Sequence, residues 1–360
     1  MYYIEGVFIY IVLLFTIWFY SKTLKPSEQS KLCMFAFILL SLFAGLSYDI
    51  GWDYITYREA IVSGSIERFE FLERELMRIS RNTPQLFFIV NHTTIVGLTM
   101  WAINRYSPDK LLSTFVFICF PYQFLFGLST IRAAAMVAII FGGYLYFLYE
   151  KNRPLLFIAT LVVGFFVHQV ALAGILLLVV HYLKLGRWGN LAIIVLSFFT
   201  SLASVNLNMD FLNGITAFED ISGKLEYYTD AEYGGGQLIH YCFLLLSGVG
   251  IVGYRKIEHS NLAKTSLTMV TVGYFIASIF QQSPVFASRF SRFFYIFCIL
   301  LVPYYIQVVP KGLQKFSRAV ILCILVALLL YQLSIHNYNG IDFERINTYW
   351  PYQTILNVIF

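Results

Sequence analysis

The sequence predicts an all-α polytopic integral membrane protein with about 12 transmembrane segments. Of its 360 residues, 59% are hydrophobic and only 12% are charged, and the mean hydropathy is +0.70. A soluble domain carries about 25% charged residues, so this chain cannot cover a water-facing surface. Apolar segments recur along the chain, and many approach the ~20 residues that a helix needs to cross a bilayer.

The predicted spans follow one another without an internal repeat or a linker rich in Gly, Ser or Pro. They lie near residues 3–20, 32–47, 84–103, 111–128, 132–149, 155–167, 169–183, 190–206, 237–254, 265–281, 290–309 and 319–335. Residues 1–360 are therefore predicted to form a single transmembrane domain with two larger outer loops, 48–83 and 207–236.

Residues 154–183 allow two interpretations, one long helix or two short passes that turn at His168. One helix of this length would span about 45 Å and would reverse the sidedness of every later loop. Two short passes keep each basic loop on one side, as the positive-inside rule requires. The sequence therefore predicts a break at His168, near the outer surface.

The charges divide unequally between the two sides of the predicted membrane. With both termini outside, the inner loops hold fifteen Lys and Arg against four Asp and Glu, and the outer loops hold ten against sixteen. Nine of the ten outer basic residues are arginines, whose planar guanidinium suits bidentate contacts with phosphate or carboxylate. The outer face is therefore predicted to carry the functional site.

The first outer loop opens with the stretch GWDYITYR, residues 51–58. An aromatic belt at the membrane interface would account for its Trp and first Tyr. It would not account for Asp53, Tyr57 and Arg58, which together offer hydrogen-bond acceptors and planar groups suited to sugar hydroxyls. Asp53 is also a candidate general base.

Further along this loop, apolar residues recur at helical spacing and predict an amphipathic helix on the outer membrane surface. These residues are Ile66, Phe69, Leu72, Leu76 and Ile79. The i,i+4 spacing of Glu70 and Arg74 predicts a solvent-exposed ion pair on this helix.

Two isolated polar residues lie at the outer ends of predicted spans. Arg132 begins an otherwise uncharged span, where an arginine is costly unless it is paired or solvated. Snorkelling towards the lipid headgroups is the alternative interpretation. His168 lies at the tip of the short hairpin, where it is either a second candidate base or a structural residue.

The remaining candidate residues lie late in the chain. Arg289 and Arg292 have i,i+3 spacing, which predicts one shared face at a helix start; two guanidinium groups there could hold a diphosphate, or serve as interfacial anchors. Tyr352 belongs to the outer C-terminal segment. The loop 207–236 combines acidic and tyrosine residues, a pattern that suits a carbohydrate groove as well as any solvated loop.

In these motifs the sequence resembles the EpsG-like branch of the Wzy-type polysaccharide repeat-unit polymerases. The resemblance rests on Gly51-x-Asp53-Tyr54-x-x-Tyr57, on Ile-Arg at 131–132 followed by small residues, and on FFVHQVAL around residue 168. SRFSRFFY and WPYQTIL follow in the same order. The family pattern also has a glutamate in the first outer loop, which either Glu70 or Glu73 matches. Gln169 departs from the small hydroxyl residue that is common there.

The resemblance implies an enzyme of the inner membrane with its active site facing the periplasm. It would be a glycosyltransferase without a nucleotide-sugar donor, and nothing in the sequence itself suggests a metal or a cofactor. Its substrates would be undecaprenyl-diphosphate-linked oligosaccharides, presented among membrane lipids, and the growing glycan would pass to a new lipid-linked repeat. A chain-length-regulating co-polymerase would be a partner, and no nucleic acid would be. The product would be O-antigen, capsule or exopolysaccharide.

Three other functions compete with this one. A lipid-linked oligosaccharide flippase should show internal inverted repeats and polar residues near the bilayer midplane, and neither is evident in the sequence. A polysaccharide ligase would share nearly all of the predicted chemistry. A membrane acyltransferase should place its His and carboxylates nearer the acyl-donor side, which the predicted topology does not do.

Overall fold

A computed structural model describes residues 2–202, 236–281, 284–335, 348–349 and 352–356. Every regular element within these ranges is helical, which confirms the all-α class. The α-helices are α1 (Tyr2–Thr23), α2 (Gln29–Gly45), α3 (Tyr54–Ser63), α4 (Phe71–Ile79), α5 (Gln85–Tyr106), α6 (Lys110–Cys119), α7 (Phe124–Ser129), α8 (Ile131–Gly143), α9 (Pro154–Val167), α10 (Ile175–Leu183), α11 (Arg187–Leu202), α12 (Gly236–Val252), α13 (Tyr254–Ile257), α14 (Asn261–Ile279), α15 (Pro284–Tyr295), α16 (Cys298–Val308) and α17 (Gln314–Ile335).

The chain divides into two compact units, and their forming a single transmembrane domain stays a prediction. The first comprises residues 1–171 and 311–360, and the second comprises residues 172–310. One boundary falls in the short turn after His168, and the other falls between Pro310 and Lys311. Neither boundary lies in a linker rich in Gly, Ser or Pro. The predicted outer loop 207–236 lies outside the described residues up to position 235.

Five described helical segments are long and apolar enough to cross a membrane, or six if one bent pair counts as a single span. They are Pro26–Gly45, Gln85–Tyr106, Ile131–Glu150, Asn261–Ile279 and Lys311–Ser334, and the pair is Phe286–Tyr295 with Cys298–Val308, bent by 53°. The predicted count of about 12 is not confirmed. Five further apolar helices have only 10–17 residues, less than a straight span needs.

The predicted break at His168 is present. Helix α9 ends at Val167, His168 has an extended backbone (φ −157°, ψ 125°), and a 3-10 helix, Gln169–Gly174, follows. The His168 N–H still donates to the Gly164 carbonyl at 2.8 Å, which satisfies one backbone group at the end of the helix. One continuous helix over 154–183 is therefore excluded.

Ion pairs at one end of the first unit join loops that the sequence predicts on the inner side. The guanidinium of Arg105, at the end of α5, binds the Glu150 carboxylate with distances of 2.8 and 2.7 Å. Arg318 in α17 binds Asp109, the N-cap of α6, at 2.8 Å. The loops predicted to share a side therefore lie together, while which end faces outside stays a prediction.

At the other end of this unit, the start of the GWDYITYR stretch packs on the junction of α7 and α8. The Asp53 N–H donates to the Ser129 carbonyl at 3.3 Å, and the Gly51 N–H donates to the Thr348 carbonyl at 3.1 Å. Gly51 has φ +93°, a conformation that residues with a Cβ rarely adopt. This docking holds the start of α3 beside the start of α8.

We expect Gly51→Ala to destabilise the protein more than Gly64→Ala. A Cβ at position 51 would lie 2.2 Å from the backbone oxygen of Leu128, whereas a Cβ at Gly64, also at positive φ (+78°), meets no atom within 4 Å. Both changes pay about 1–2 kcal/mol for the left-handed backbone, and the Gly51 change adds about 1–3 kcal/mol of overpacking. Thermal unfolding of the two purified variants in one detergent measures the difference. Equal losses would contradict the close approach.

The second unit is built around α14, which packs against α11, α12, α15 and α16. The rings of Phe243 in α12 and Tyr295 in α15 stack with centroids 3.4 Å apart. Asn190 in α11 donates to the Thr268 hydroxyl of α14 at 3.3 Å. Buried side chains that exchange hydrogen bonds in this way satisfy groups that the apolar surroundings would otherwise leave unpaired.

Candidate active site

The guanidinium of Arg132 is the centre of a polar cluster in the first unit. Arg132 is the second residue of α8, and its Nη1 forms an ion pair with Oε2 of Glu70. Its Nε donates to the Tyr57 hydroxyl at 3.2 Å, and its guanidinium carbon lies 4.8 Å from the centroid of the Phe69 ring. The arginine is therefore held by a carboxylate, a hydroxyl and an aromatic face, not by lipid headgroups alone.

Glu70 connects Arg132 with the turn after α9. It is the N-cap residue of α4 and has an extended backbone (φ −64°, ψ 157°). While Oε2 binds Arg132, Oε1 accepts a hydrogen bond from the backbone N–H of Gln169 at 3.1 Å. The carboxylate therefore ties three separate segments of the chain together.

The predicted ion pair between Glu70 and Arg74 is wrong. Arg74 binds Glu67 at 3.3 Å instead. Because the backbone of Glu70 is extended, its side chain leaves the helix face on which an i,i+4 partner would lie. Glu70 pairs with the largely buried Arg132 instead of Arg74. Water competes less for the charges of a buried ion pair.

His168 lies beside the same carboxylate. Its side chain is buried, and Nδ1 lies 3.4 Å from Oε1 of Glu70. The backbone N–H of Val170 also points at Nδ1, at 3.5 Å. An imidazole that contacts a carboxylate through one nitrogen is oriented by it and is stabilised when it gains a proton. Arg132 and His168, two candidates in the first unit, therefore share Glu70.

Tyr57 joins Arg132 to Asp53. The Tyr57 hydroxyl accepts from Arg132 and donates to Oδ2 of Asp53 at 3.0 Å. Burial raises the pKa of Tyr57 far above its usual value of about 10, so the hydroxyl keeps its proton and its role as donor. Asp53, Tyr57, Arg132 and His168 were all predicted from the sequence, and the structure brings the four together through Glu70.

Glu73 is a second carboxylate at the start of α4, one turn beyond Glu70. Only 3% of the residue is exposed, and Oε2 accepts from Nδ2 of Asn91 in α5 at 3.1 Å. Burial raises the pKa of Glu73 to about 7, while the Asn91 hydrogen bond and the charge of Arg132 oppose that rise. The carboxyl group therefore exchanges its proton near neutral pH.

The sequence offered Glu70 and Glu73 only as alternative matches for the family's glutamate. The burial of Glu73 was not predicted, because the buried face of the amphipathic helix was misplaced. The predicted apolar face included Leu72 and Ile79, and both side chains are exposed. The residues that are buried, at equivalent spacing, are Ile66, Phe69, Glu73, Met77 and Ser80. A carboxylate within an otherwise apolar helical stripe was the available signal for Glu73.

Two predicted substrate-binding residues of the first unit lie outside this cluster. The exposed guanidinium of Arg58 stands 5.6 Å from the centroid of the Tyr48 ring. The Tyr352 hydroxyl donates to the Phe43 carbonyl, and the two rings stack with centroids 4.2 Å apart. These contacts fix the start of the outer loop and the C-terminal segment, and substrate binding by either residue stays a prediction.

Arg289 and Arg292 lie on α15 in the second unit, and their position on that helix differs from the prediction. The helix begins at Pro284, so Arg289 lies near its middle and Arg292 belongs to the last turn. Proline is favoured at the first helical position, which accounts for the earlier start. A cation near the C-terminus of a helix interacts favourably with the helix dipole. Diphosphate binding by this pair stays a prediction.

An open depression of about 600 Å³ lies beside α3 and shares no residue with the Arg132 cluster. Its lining consists of Thr56, Glu59, Ala60, Ser63, Ser65, Glu67 and Arg68. Within the described parts of the chain, no group of three or more His, Cys, Asp or Glu residues could hold a metal ion. The Arg132 cluster is therefore the arrangement best suited to chemistry in the first unit.

Comparison with known proteins gives one match. The EpsG family matches residues 30–354, a range that includes every member of the Arg132 cluster, and EpsG-like proteins resemble Wzy-type polymerases. No curated protein and no solved structure matches the chain. The chain belongs to the EpsG family, whose members are membrane proteins of polysaccharide biosynthesis.

Proposed function

We propose that this protein polymerises undecaprenyl-diphosphate-linked oligosaccharide repeat units on the outer, periplasmic face of the inner membrane. The observation that carries this proposal is the Glu70–Arg132–His168 arrangement. It combines a cation suited to a diphosphate with an imidazole suited to accept a proton. It also lies at the end of an apolar helix, where a lipid-anchored substrate presents its headgroup.

The diphosphate would bind Arg132 by exchanging with Glu70. A guanidinium offers paired N–H donors to phosphate oxygens as readily as to a carboxylate. In the free protein Glu70 keeps Arg132 paired, which avoids the high cost of an unpaired buried charge. The incoming diphosphate would take over one side of the guanidinium, and Tyr57 would keep its hydrogen bond to Nε.

The reaction is a displacement at the anomeric carbon of the growing glycan. A hydroxyl oxygen of the new repeat forms a bond to that carbon, and the bond from the carbon to the diphosphate oxygen breaks. The electron pair of the broken bond stays on the diphosphate, where Arg132 stabilises it. Such preorganised cations typically contribute the largest catalytic effect. The proton of the attacking hydroxyl passes to His168.

His168 is the base that we favour over Asp53. One oxygen of Asp53 is already engaged, because it accepts a hydrogen bond from Tyr57. Glu70, 3.4 Å from Nδ1 of His168, would stabilise the imidazolium that forms. Asp53 would orient Tyr57 and, through it, Arg132.

Two rival functions differ in ways that an experiment can separate. A flippase would carry its polar groups near the bilayer midplane, whereas the described cluster lies at helix ends: the starts of α3, α4 and α8 and the turn after α9. A polysaccharide ligase shares the donor chemistry but transfers a finished glycan. The products distinguish all three functions.

We expect purified protein in liposomes to convert a single lipid-linked repeat into a ladder of lipid-linked products. Gel electrophoresis of the labelled glycan measures the ladder, and liposomes without protein are the control. Single repeats that cross the bilayer unchanged would indicate a flippase. Consumption of the repeat only when a different acceptor is added would indicate a ligase. Either result would contradict the polymerase proposal.

A further inference from the structure

Glu73 is a buried titratable group beside the proposed site, and the proposed chemistry leaves it unused. It occupies the first turn of α4, three residues after Glu70. Its one described hydrogen-bond partner is the amide of Asn91, at 3.1 Å. Because α4 begins at the cluster, the charge of Glu73 acts on Arg132 as well as on Glu70.

The groups that face Glu73 come from several elements. Helix α8 contributes Arg132, and the N-cap of α4 contributes Glu70. Helix α5 contributes only the neutral amide of Asn91. The turn after α9 contributes His168, which reaches the group through Glu70.

The N-cap of α3 adds Asp53, which reaches Arg132 through the Tyr57 hydroxyl. One guanidinium in the described cluster therefore stands among three carboxyl groups, those of Asp53, Glu70 and Glu73. A diphosphate ester adds two more negative charges. Like charges in a largely buried site repel one another strongly. Neutralising any one of these carboxylates therefore favours binding of the diphosphate.

Of the three carboxyl groups, Glu73 is the one most easily neutralised. Glu70 is an ion-pair partner of Arg132, Asp53 accepts a hydrogen bond from Tyr57, and both residues are only partly buried. Glu73 is almost fully buried, and desolvation favours its neutral form and raises its pKa to about 7. A neutral carboxyl group still accepts the Asn91 hydrogen bond.

We propose that Glu73 is a positioning residue that acts through Arg132, and that the lipid diphosphate binds with Glu73 protonated. The proposal rests on the proposed function. Binding then takes up one proton whenever Glu73 is ionised in the free protein. Substrate affinity is thereby coupled to pH through a residue that does not touch the substrate.

The direction of the pH effect follows from this coupling. Below about pH 7 Glu73 is already protonated, and the affinity for the diphosphate is independent of its ionisation. Above that pH each unit increases the dissociation constant by about tenfold, because a proton must be bound together with the ligand. Glu73→Gln mimics the neutral form and keeps an oxygen for Asn91, so its affinity stays constant.

The test is a binding titration of the full chain in nanodiscs between pH 6 and pH 9. The probe is a polyprenyl diphosphate esterified with N-acetylglucosamine. With both ends esterified, it lacks the ionisation near pH 6 of a phosphate monoester. We expect wild-type affinity to fall about 50-fold between pH 7 and pH 9 and that of Glu73→Gln to stay level. Glu75→Gln, at a half-buried neighbour paired with Arg78, should follow the wild type.

A second variant tests the same coupling by raising the pKa of Glu73 instead of removing its charge. Asn91→Asp places a like charge against Glu73, which raises its pKa. The fall in affinity should therefore begin at a higher pH than in the wild type. Isothermal titration calorimetry of the wild type at pH 8.5, in two buffers of different ionisation enthalpy, should detect uptake of about one proton.

Three results separate the failure of this proposal from the failure of the proposed function. A level wild-type affinity across the pH range overturns the role of Glu73. An equal slope in the wild type and in Glu73→Gln overturns it too, because another group such as His168 then takes up the proton. No binding of the probe by the wild type at any pH overturns lipid-diphosphate recognition itself.

Discussion

Arg132→Lys should reduce polymer formation about 10²–10³-fold, the cost of one lost donor to a developing negative charge. The lysine keeps the charge but has a single nitrogen, so it cannot reproduce the separate contacts of Nη1 with Glu70 and of Nε with Tyr57. It also loses the flat group that lies over the Phe69 ring. Turnover should fall much more than affinity for the lipid-linked substrate, because a cation remains to bind the diphosphate.

Lysine is a better test than alanine at this position. Removing the guanidinium would leave Glu70 as a largely buried carboxylate without its cation, a change that typically costs about 3–5 kcal/mol. Loss of activity in Arg132→Ala would then report on folding as much as on catalysis. Lysine retains a partner for Glu70 and limits this effect.

Arg78→Lys is the matched control for Arg132→Lys. Arg78 lies on α4, is exposed, and binds Glu75 at 2.8 Å, an ion pair of the kind that contributes little to stability. In liposomes with equal protein content, Arg78→Lys should polymerise at a rate near that of the wild type. If Arg132→Lys stays within about threefold of this control, the guanidinium of Arg132 does not stabilise the leaving group.

Local sequence features predicted the class of the protein and most members of the cluster. Span-like hydropathy identified the membrane helices, and the charge pattern required the break at His168 that the backbone shows. Arg132 stood out because an otherwise apolar segment rarely carries an unpaired arginine at its start. Each of these signals lies within a few residues of the feature that it predicts.

The features that were missed depend on packing between distant segments. Arg132 finds its partner Glu70 across 62 residues of sequence, and Glu70 reaches Gln169 across 99. No spacing rule selects that partner over Arg74, which is four residues away. Similarly, the sequence could not show that Asn91 and Glu73 would both be buried and form a hydrogen bond. Hydropathy also selects apolar segments that fold as helices of only 10–17 residues, so the predicted count of about 12 spans is not confirmed by the described residues.

Glu70 and His168 should act as one unit, and a double-mutant cycle can test this. His168→Ala should reduce turnover about 10²–10⁴-fold, the usual contribution of a positioned general base. Glu70→Gln keeps an oxygen for the Gln169 N–H but loses the charge that stabilises the imidazolium, so turnover should fall here as well. Glu70→Gln should nevertheless bind the lipid diphosphate more tightly, because Arg132 no longer has a competing carboxylate.

If Glu70 acts through His168, its substitution should cost little further turnover once the histidine is gone. The double variant should then be about as slow as His168→Ala, with a coupling free energy above the ~0.5 kcal/mol scatter of independent sites. Glu67→Gln is the matched control, since Glu67 is exposed and binds Arg74 rather than Arg132. Multiplicative losses in turnover would mean that the 3.4 Å approach of Glu70 to His168 has no part in the reaction. Asp53 would then be the candidate base to test next.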